Sequence, residues 1–368
     1  MLPSFVNTAA RVLALGALLV PAVQADFDAG LEWISTNKSL PKVVARGTIL
    51  SASNYSRLDN VNYGYGVGPT PQQLIGNVSE VLDVAQLAVV NFNVPGGSSG
   101  LNSSVYLNIS QHANRQLCDP DSDIVGAIMF HGTNTLEETA FGVDLTFNCS
   151  KPFIATGAMR PDTYVSPDGR SNFYQAVAAA VSPAITSVFY STKLNANTPD
   201  TFKSLEQGNL GAFLGGQPFY YFGPAYPTGR PYFDVTNTTE LPSVVIFFGH
   251  QGFDASLMHA AVANGAKGLV VMGPGAASLS PDAREAAAEL FKKGIPTVAV
   301  ARPTTGTGVP SITPGPVFFS SYVGAEQARI MLQLAINAGL SLDEIRDLFE
   351  TPLREAVYAP WANQLAYY

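Results

Sequence analysis

The chain has 368 residues, enough for a sizeable buried core and, at usual domain sizes, for two domains. Hydrophobic residues make up 46% and charged residues only 13%, about half the usual charged share, so disorder is excluded and Ser, Thr, Asn and Gln must finish the surface. The formal net charge is −8 with no Lys/Arg cluster, which excludes nucleic acid as a partner because no electrostatic footprint for it exists.

At the N-terminus, Arg11 precedes an apolar run from Val12 to Leu19, and Pro21 to Ala25 ends with small residues at Val23 and Ala25. Residues 1–25 read as a signal peptide cleaved before Asp26. A membrane anchor needs about 20 apolar residues, and this run is shorter and broken by Pro21. The expectation is therefore a soluble protein without membrane contact, secreted or delivered to a periplasmic or cell-wall space. Asn-x-Ser/Thr sequons at Asn37, Asn54, Asn77, Asn102, Asn108, Asn148 and Asn237 point to a glycoprotein. Cys118 and Cys149 are the only cysteines, so an oxidising compartment implies one disulfide, with two buried thiols as the alternative.

The mature chain opens with a short apolar strand running into a glycine turn, KVVARGTIL at 42–50, followed by a polar loop without periodicity from Ser51 to Gly68. Thr70 to Ala88 has helical spacing, with Leu74, Val78, Val81 and Leu82 on one stripe, and Val105 to Leu117 is a second helix. Ile124 to Phe130 is an unbroken apolar strand. Behind it, Thr135 and Glu138 have the spacing of a capping box at a helix start. The alternation continues with a strand at Pro152–Met159 and a helix at Ser171–Val181, then a loop-rich middle from Lys193 to Glu240. It resumes with strands at Val244–Phe248, Gly268–Met272 and Pro296–Ala301 and helices at Asp254–Asn264 and Pro281–Lys293. Two further helices start near Ala325 and Ser341, and Ser341 and Glu344 again have capping-box spacing.

Strands alternating with helices predict parallel sheets covered on both faces, here in two α/β domains. The expected division is an N-terminal domain at 26–215, a linker at 216–242 and a C-terminal domain at 243–368. Ligands on such sheets bind beyond the strand C-termini, where the turns at Gly47 and Gly132 fall. Each turn carries a threonine, Thr48 and Thr133. A single Gly-Thr turn is more often a capping feature, but two of them, with no Ser/His/Asp, HExxH or P-loop pattern in the chain, suggest acyl transfer through a threonine hydroxyl. His112, His131, His250 and His259 show no ligand spacing, and His131 reads as a turn or core residue.

HGTNTLEETAFGVDL at 131–145 resembles the HGTDTMEETA segment of the type II L-asparaginases. ATGAMRPDTYVSPDGRSNFYQAV and STKLNANTPDTFKSLEQGNLG are similar to that family's next strand, loop and helix and to its lysine segment. The likeness extends through ARIMLQLAI at 328–336. It implies a two-domain α/β fold with a larger N-terminal parallel-sheet domain and a smaller C-terminal one, assembled as a homotetramer of intimate dimers. It also implies hydrolysis of L-asparagine to L-aspartate and ammonia, with a small amide as substrate and no metal or cofactor. Carried over by position, Thr48 matches the attacking threonine and Tyr65 the loop tyrosine that activates it, with Tyr63 a close rival. Thr133 matches the second threonine, Lys193 its paired lysine, and Ser98 the holder of the substrate carboxylate. Cys118 and Cys149 match the disulfide of bacterial type II members.

Four departures bear on specificity. Asn134 stands where the family has an aspartate that contacts both the lysine and the substrate ammonium, so Lys193 should titrate lower. The segment 303–323, where the family places a second carboxylate from a neighbouring protomer, contains no Asp or Glu. Arg46 occupies the place of a glycine beside the Thr48 turn. Between the helix ending near Val181 and Lys193 the family has a strand and loop, whereas this chain has only Ser182–Thr192, which bears on where Lys193 falls. A family member without hydrolytic activity, or an amidase for a blocked or larger amide, are the alternatives these departures raise.

Overall fold

A computed structural model describes residues 31–35, 37–47, 51–59, 65–90, 97–182, 188–223 and 227–358; for residues 51, 65–67 and 71 it describes the backbone alone. The expected signal peptide, Thr48 and Tyr63 lie outside the described residues.

In chain order the first domain contains β1 (Trp33–Ile34), β2 (Lys42–Arg46), β3 (Ser51–Ser53), β4 (Tyr65–Val67), α1 (Pro71–Asn77), β5 (Gln86–Val90), α2 (Ser103–Leu117) and β6 (Ile124–Phe130). It continues with α3 (Leu136–Asp144), β7 (Phe153–Thr156), α4 (Gly169–Ala180), β8 (Thr192–Lys193), β9 (Phe202–Lys203), β10 (Gly211–Leu214) and β11 (Gln217–Tyr220). The main sheet has the order β1-β5-β2-β6-β7. Four strands run parallel, and β1 enters antiparallel to β5 at the edge, so the sheet is mixed. Successive residues of β2 serve opposite faces: Val44 packs with α2 and α3, whereas Val43 and Ala45 pack with Phe173 and Val177 of α4.

The second domain contains β12 (Val244–Phe248), α5 (Ser256–Ala263), β13 (Gly268–Gly273), the single turn α6 (Pro274–Ala277), α7 (Pro281–Phe291), β14 (Thr297–Ala301), β15 (Val317–Phe319), α8 (Ala325–Asn337) and α9 (Leu342–Tyr358). Its four strands are all parallel, in the order β12-β13-β14-β15. One apolar core runs unbroken from α2 and α3 of the first domain through α8 to Val270, Val298 and Phe318 of the second. Polar bonds lie along the same seam. Arg329 of α8 pairs with Glu138 of α3 at 2.8 Å, and Gln333 Nε2 donates to the Pro242 carbonyl at 2.9 Å.

Several elements depart from expectation. The helical stripe from Thr70, opened by the full capping box of Thr70 and Gln73, is met by α1 and then a 3-10 turn at Ser79–Asp83 that carries Val81 and Leu82, but it does not reach Ala88. Leu87 to Val90 is apolar and ends in the β-branched pair Val89–Val90, and the sheet claims Gln86–Val90 as β5 between β1 and β2. The polar stretch after Gly47 contains the β3–β4 hairpin, with Ser53 paired to Tyr65. The loop-rich middle contains two more hairpins, β8–β9 and β10–β11. Among the described residues no strand lies between α4 and β8, and β7 is the last described strand in the order of the sheet. No helix among them is long and apolar enough to cross a membrane.

Cys118 and Cys149 form a disulfide with a Cα–Cα distance of 5.5 Å, tying the end of α2 to the loop after α3. All seven sequon asparagines are exposed. Two of them also make local bonds: Asn37 accepts from the Ser39 amide, and Asn102 caps α2 by accepting from the Ser104 amide.

Candidate active site

Two glycines shape the strand ends. Gly47 follows β2 with φ of +86°, and its amide donates to the Val90 carbonyl; a Cβ there would stand 2.4 Å from the Phe130 carbonyl oxygen. Only glycine fits on both counts. At Gly132, after β6, a Cβ would meet Ser98 Oγ at 2.5 Å. The missing side chain lets the turn Gly97–Gly100 close directly on the β6–α3 turn.

That closure draws the polar groups together. Ser98 Oγ accepts from the Asn134 amide at 3.3 Å, and the Asn134 side-chain amide donates to Ser99 Oγ at 2.6 Å. Thr135 Oγ1 donates to the Ser98 carbonyl at 2.7 Å. The expected capping box at Thr135 and Glu138 is therefore absent: Thr135 makes no side-chain cap, and Glu138 is turned to Arg329. Both residues find a stronger use outside their own helix.

Lys193 reaches the same place from β8. Its ammonium donates to Thr133 Oγ1 at 2.9 Å, although the segment before it is short. The strand carrying it is held by three contacts rather than by the main sheet. Lys193 pairs with Phe202 of β9, the Lys193 amide donates to the Glu137 carboxylate, and Gln327 of α8 donates to the Ser191 carbonyl. Thr192 donates its hydroxyl to Glu137 as well.

The Lys193 ammonium titrates below the ordinary lysine value, first because burial disfavours its charge, while Glu137 opposes the shift. The direction expected from Asn134 is present, but desolvation is its main source. Burial pushes the Glu137 carboxyl above the usual range, against the pull of the Lys193 and Thr192 bonds. In the sequence Glu137 reads only as a capping or first-turn residue, with no sign of its bond to β8. It stands four positions after Thr133, but only the fold brings β8 to α3.

Other residues are placed elsewhere. Tyr65 opens β4, opposite Ser53. Arg46 is buried at 2% exposure, among the core residues under α2, with Nη2 bonded to Gln116. His131 is buried and titrates below the ordinary histidine value because of that burial; its Nδ1 sits 2.6 Å from the Gly132 carbonyl oxygen. Among the described residues no three His, Cys, Asp or Glu side chains gather in a metal-holding group. A cavity of about 840 Å³ runs beside β7, lined by Phe153, Phe202 and Phe219 among others, and none of Ser98, Thr133, Asn134 or Lys193 borders it.

A two-domain α/β frame thus gathers a hydroxyl, an amine and a hydroxyl-rich turn beyond the β6 end, the place where ligands of such sheets bind and where an enzyme site is sought. Residues 43–226 match the family described as "Asparaginase, N-terminal", and residues 243–349 match "Glutaminase/Asparaginase C-terminal domain". The chain is 38% identical over 342 residues to "Probable L-asparaginase 1" of Schizosaccharomyces pombe, covering 86% of this chain and 91% of the relative. It is 37% identical over 332 residues to "L-asparaginase 2-3" of Saccharomyces cerevisiae, covering 85% and 91%. The fold is similar, at a TM-score of 0.76 and 27% identity, to the crystal structure of a probable cytoplasmic L-asparaginase from Campylobacter jejuni, covering 84% of this chain and 99% of that one. The chain belongs to the asparaginase family and is an asparaginase-like amidohydrolase.

The comparison corrects one expectation. Export to a secreted or cell-wall compartment does not stand, because the structural relative is described as cytoplasmic and the names of the yeast relatives carry no mention of secretion. An apolar run with a small-residue end is a short pattern that composition alone can produce.

Proposed function

We propose that the enzyme hydrolyses L-asparagine to L-aspartate and ammonia through a threonyl ester. The observation that carries this reading is the 2.9 Å bond from Lys193 Nζ to Thr133 Oγ1 beside the Ser98 turn, within a chain of the asparaginase family. In the scheme, Thr48 Oγ attacks the side-chain amide carbon, assisted by Tyr65. The C–N bond breaks, and the nitrogen leaves as ammonia with the hydroxyl's proton. Thr133 and Lys193 then relay a proton from the water that hydrolyses the ester, restoring Thr48. A neutral hydroxyl is a weak nucleophile and needs such a relay; a lysine whose ammonium is destabilised by burial is suited to give and take a proton.

Ser98 and Asn134 are assigned to the substrate, and a tetramer of intimate dimers is the assembly proposed from the resemblance to type II members. The division at 216–242 is taken as the border between the two domains. Ammonia release by the purified protein is the test. Thr133→Ala and Lys193→Met are expected to lower kcat roughly a hundredfold or more, and Thr48→Ala to abolish turnover. Unchanged rates in these variants would defeat the mechanism.

A second reading has its own observation. The Asn134 side chain is neutral and committed to Ser99, and 303–323 carries no acid, so the pocket offers little to a substrate ammonium. An amide with a blocked amino group would then be preferred, and a higher kcat/KM for N-acetyl-asparagine than for asparagine is the result that would favour it.

A further inference from the structure

We propose that Glu137 is a positioning residue for Lys193, holding the backbone of β8 from the first turn of α3. The inference rests on the threonine–lysine reading above but concerns a residue that reading does not use.

Geometry carries it. β8 is two residues long and, among the described residues, pairs with the equally short β9 alone, so the backbone of Lys193 has little described secondary structure to hold it. The Glu137 carboxylate accepts both the Lys193 amide and the Thr192 hydroxyl, fixing β8 against the helix that begins just after Thr133. The second tether, Gln327 to the Ser191 carbonyl, holds the chain two residues earlier and carries no charge. Asn134 Nδ2 donates to Ser99 Oγ and Glu138 accepts from Arg329, and among the described residues neither side chain bonds Lys193.

The electrostatics agree. Glu137 is the group that raises the Lys193 pKa against burial. The charges facing Glu137 are Lys193 from β8, Glu138 from its own helix and Glu326 from α8; the two acids add to burial in holding its proton. As pH falls through that raised value, Glu137 gains a proton, and the charge opposing Lys193 desolvation disappears. Removing the charge by substitution should have the same effect at every pH.

The test uses the full-length protein with Glu137→Gln, Glu137→Ala and Glu137→Asp. Trace acetylation of lysines across pH, read by mass spectrometry with exposed Lys267 as internal standard, reports Lys193 directly and needs no turnover. Glu137→Gln should raise the unprotonated fraction of Lys193 at a given pH roughly tenfold, a shift of about one pH unit in its midpoint. Where asparagine is turned over, kcat should fall roughly tenfold with KM nearly unchanged, and the loss of activity expected in the unsubstituted enzyme as Glu137 takes up its proton at low pH should be absent. Glu137→Asp keeps the charge and should retain most of the wild-type profile, whereas Glu137→Ala should lose most activity at little cost to the melting temperature.

An unchanged Lys193 midpoint in both Glu137→Gln and Glu137→Ala would overturn the inference. So would a lowered melting temperature with an unshifted midpoint, which marks a structural role alone. Failure of the underlying reading is seen separately, as full activity in Thr133→Ala.

Discussion

Arg46 shows what a single buried residue can cost when, among the described residues, only one of its guanidinium nitrogens finds a partner, Gln116. Its guanidinium is fully buried, Nε and Nη1 meet no acceptor among the described residues, and its pKa is pushed down to about 9, by burial first and then by Arg115. Close by, His112 is pushed down to about 3 by burial and by the same two arginines, so it is neutral at working pH. Because the folded-state pKa of Arg46 lies below the unfolded one, its penalty is complete below about pH 9 and is relieved as pH rises from there toward the ordinary arginine value. Arg46→Met keeps the volume and removes the charge, and it should stabilise the fold by about 2 kcal/mol at neutral pH in a denaturant titration. A destabilised variant would mean that the guanidinium has an anionic partner. Position 46 stood out in the sequence only as a misfit beside the Thr48 turn. That it points under α2 rather than toward the strand end follows from strand alternation, which places it on the face of Val44.

At the scale of elements, two capping cues of the same spacing had opposite outcomes. Ser341 and Glu344 form the box at the start of α9: the Ser341 amide donates to the Glu344 carboxylate at 2.7 Å, and the Glu344 amide donates to Ser341 Oγ at 3.3 Å. Thr135 and Glu138 do not, because the Ser98 turn and Arg329 compete for them and win. Ser341→Ala should lower the melting temperature by a few degrees and leave kinetics alone. Thr135→Ala should do the reverse, raising KM severalfold by loosening the Ser98 turn while barely changing stability. Equal loss of stability in both variants would contradict this difference. The strands β6 and β12 were legible to the residue, because each is a short unbroken apolar run, buried along most of β6 and half-buried at the sheet edge in β12. β5 was not, since Gln86–Val90 continues a helical stripe and becomes a strand only by fitting between β1 and β2.

For the whole molecule, the decisive links are long-range. The Cys118–Cys149 bridge closes a sequence separation of 31 residues around β6 and α3, the two elements that flank Thr133. Cys118→Ala with Cys149→Ala should cost on the order of 3 kcal/mol of stability. Activity at low temperature should persist, since neither cysteine touches the Thr133–Lys193 pair; loss of activity without loss of stability would place the bridge in the site's own support. The seam between α3 and α8 joins the domains, and through Gln327 it also helps to set β8. What the sequence by itself determined is the family, the two-domain α/β alternation, the glycine turns at 47 and 132 and the residue types for a threonine–lysine site, because periodicity, backbone freedom and local motifs are properties of neighbours along the chain. The tertiary structure alone decided that Lys193 meets Thr133 despite its shortened approach, that Asn134 is spent on Ser99 and that Glu137 holds β8. Each of those depends on which distant groups compete for one hydrogen bond, and that competition exists only once the strands and helices have packed.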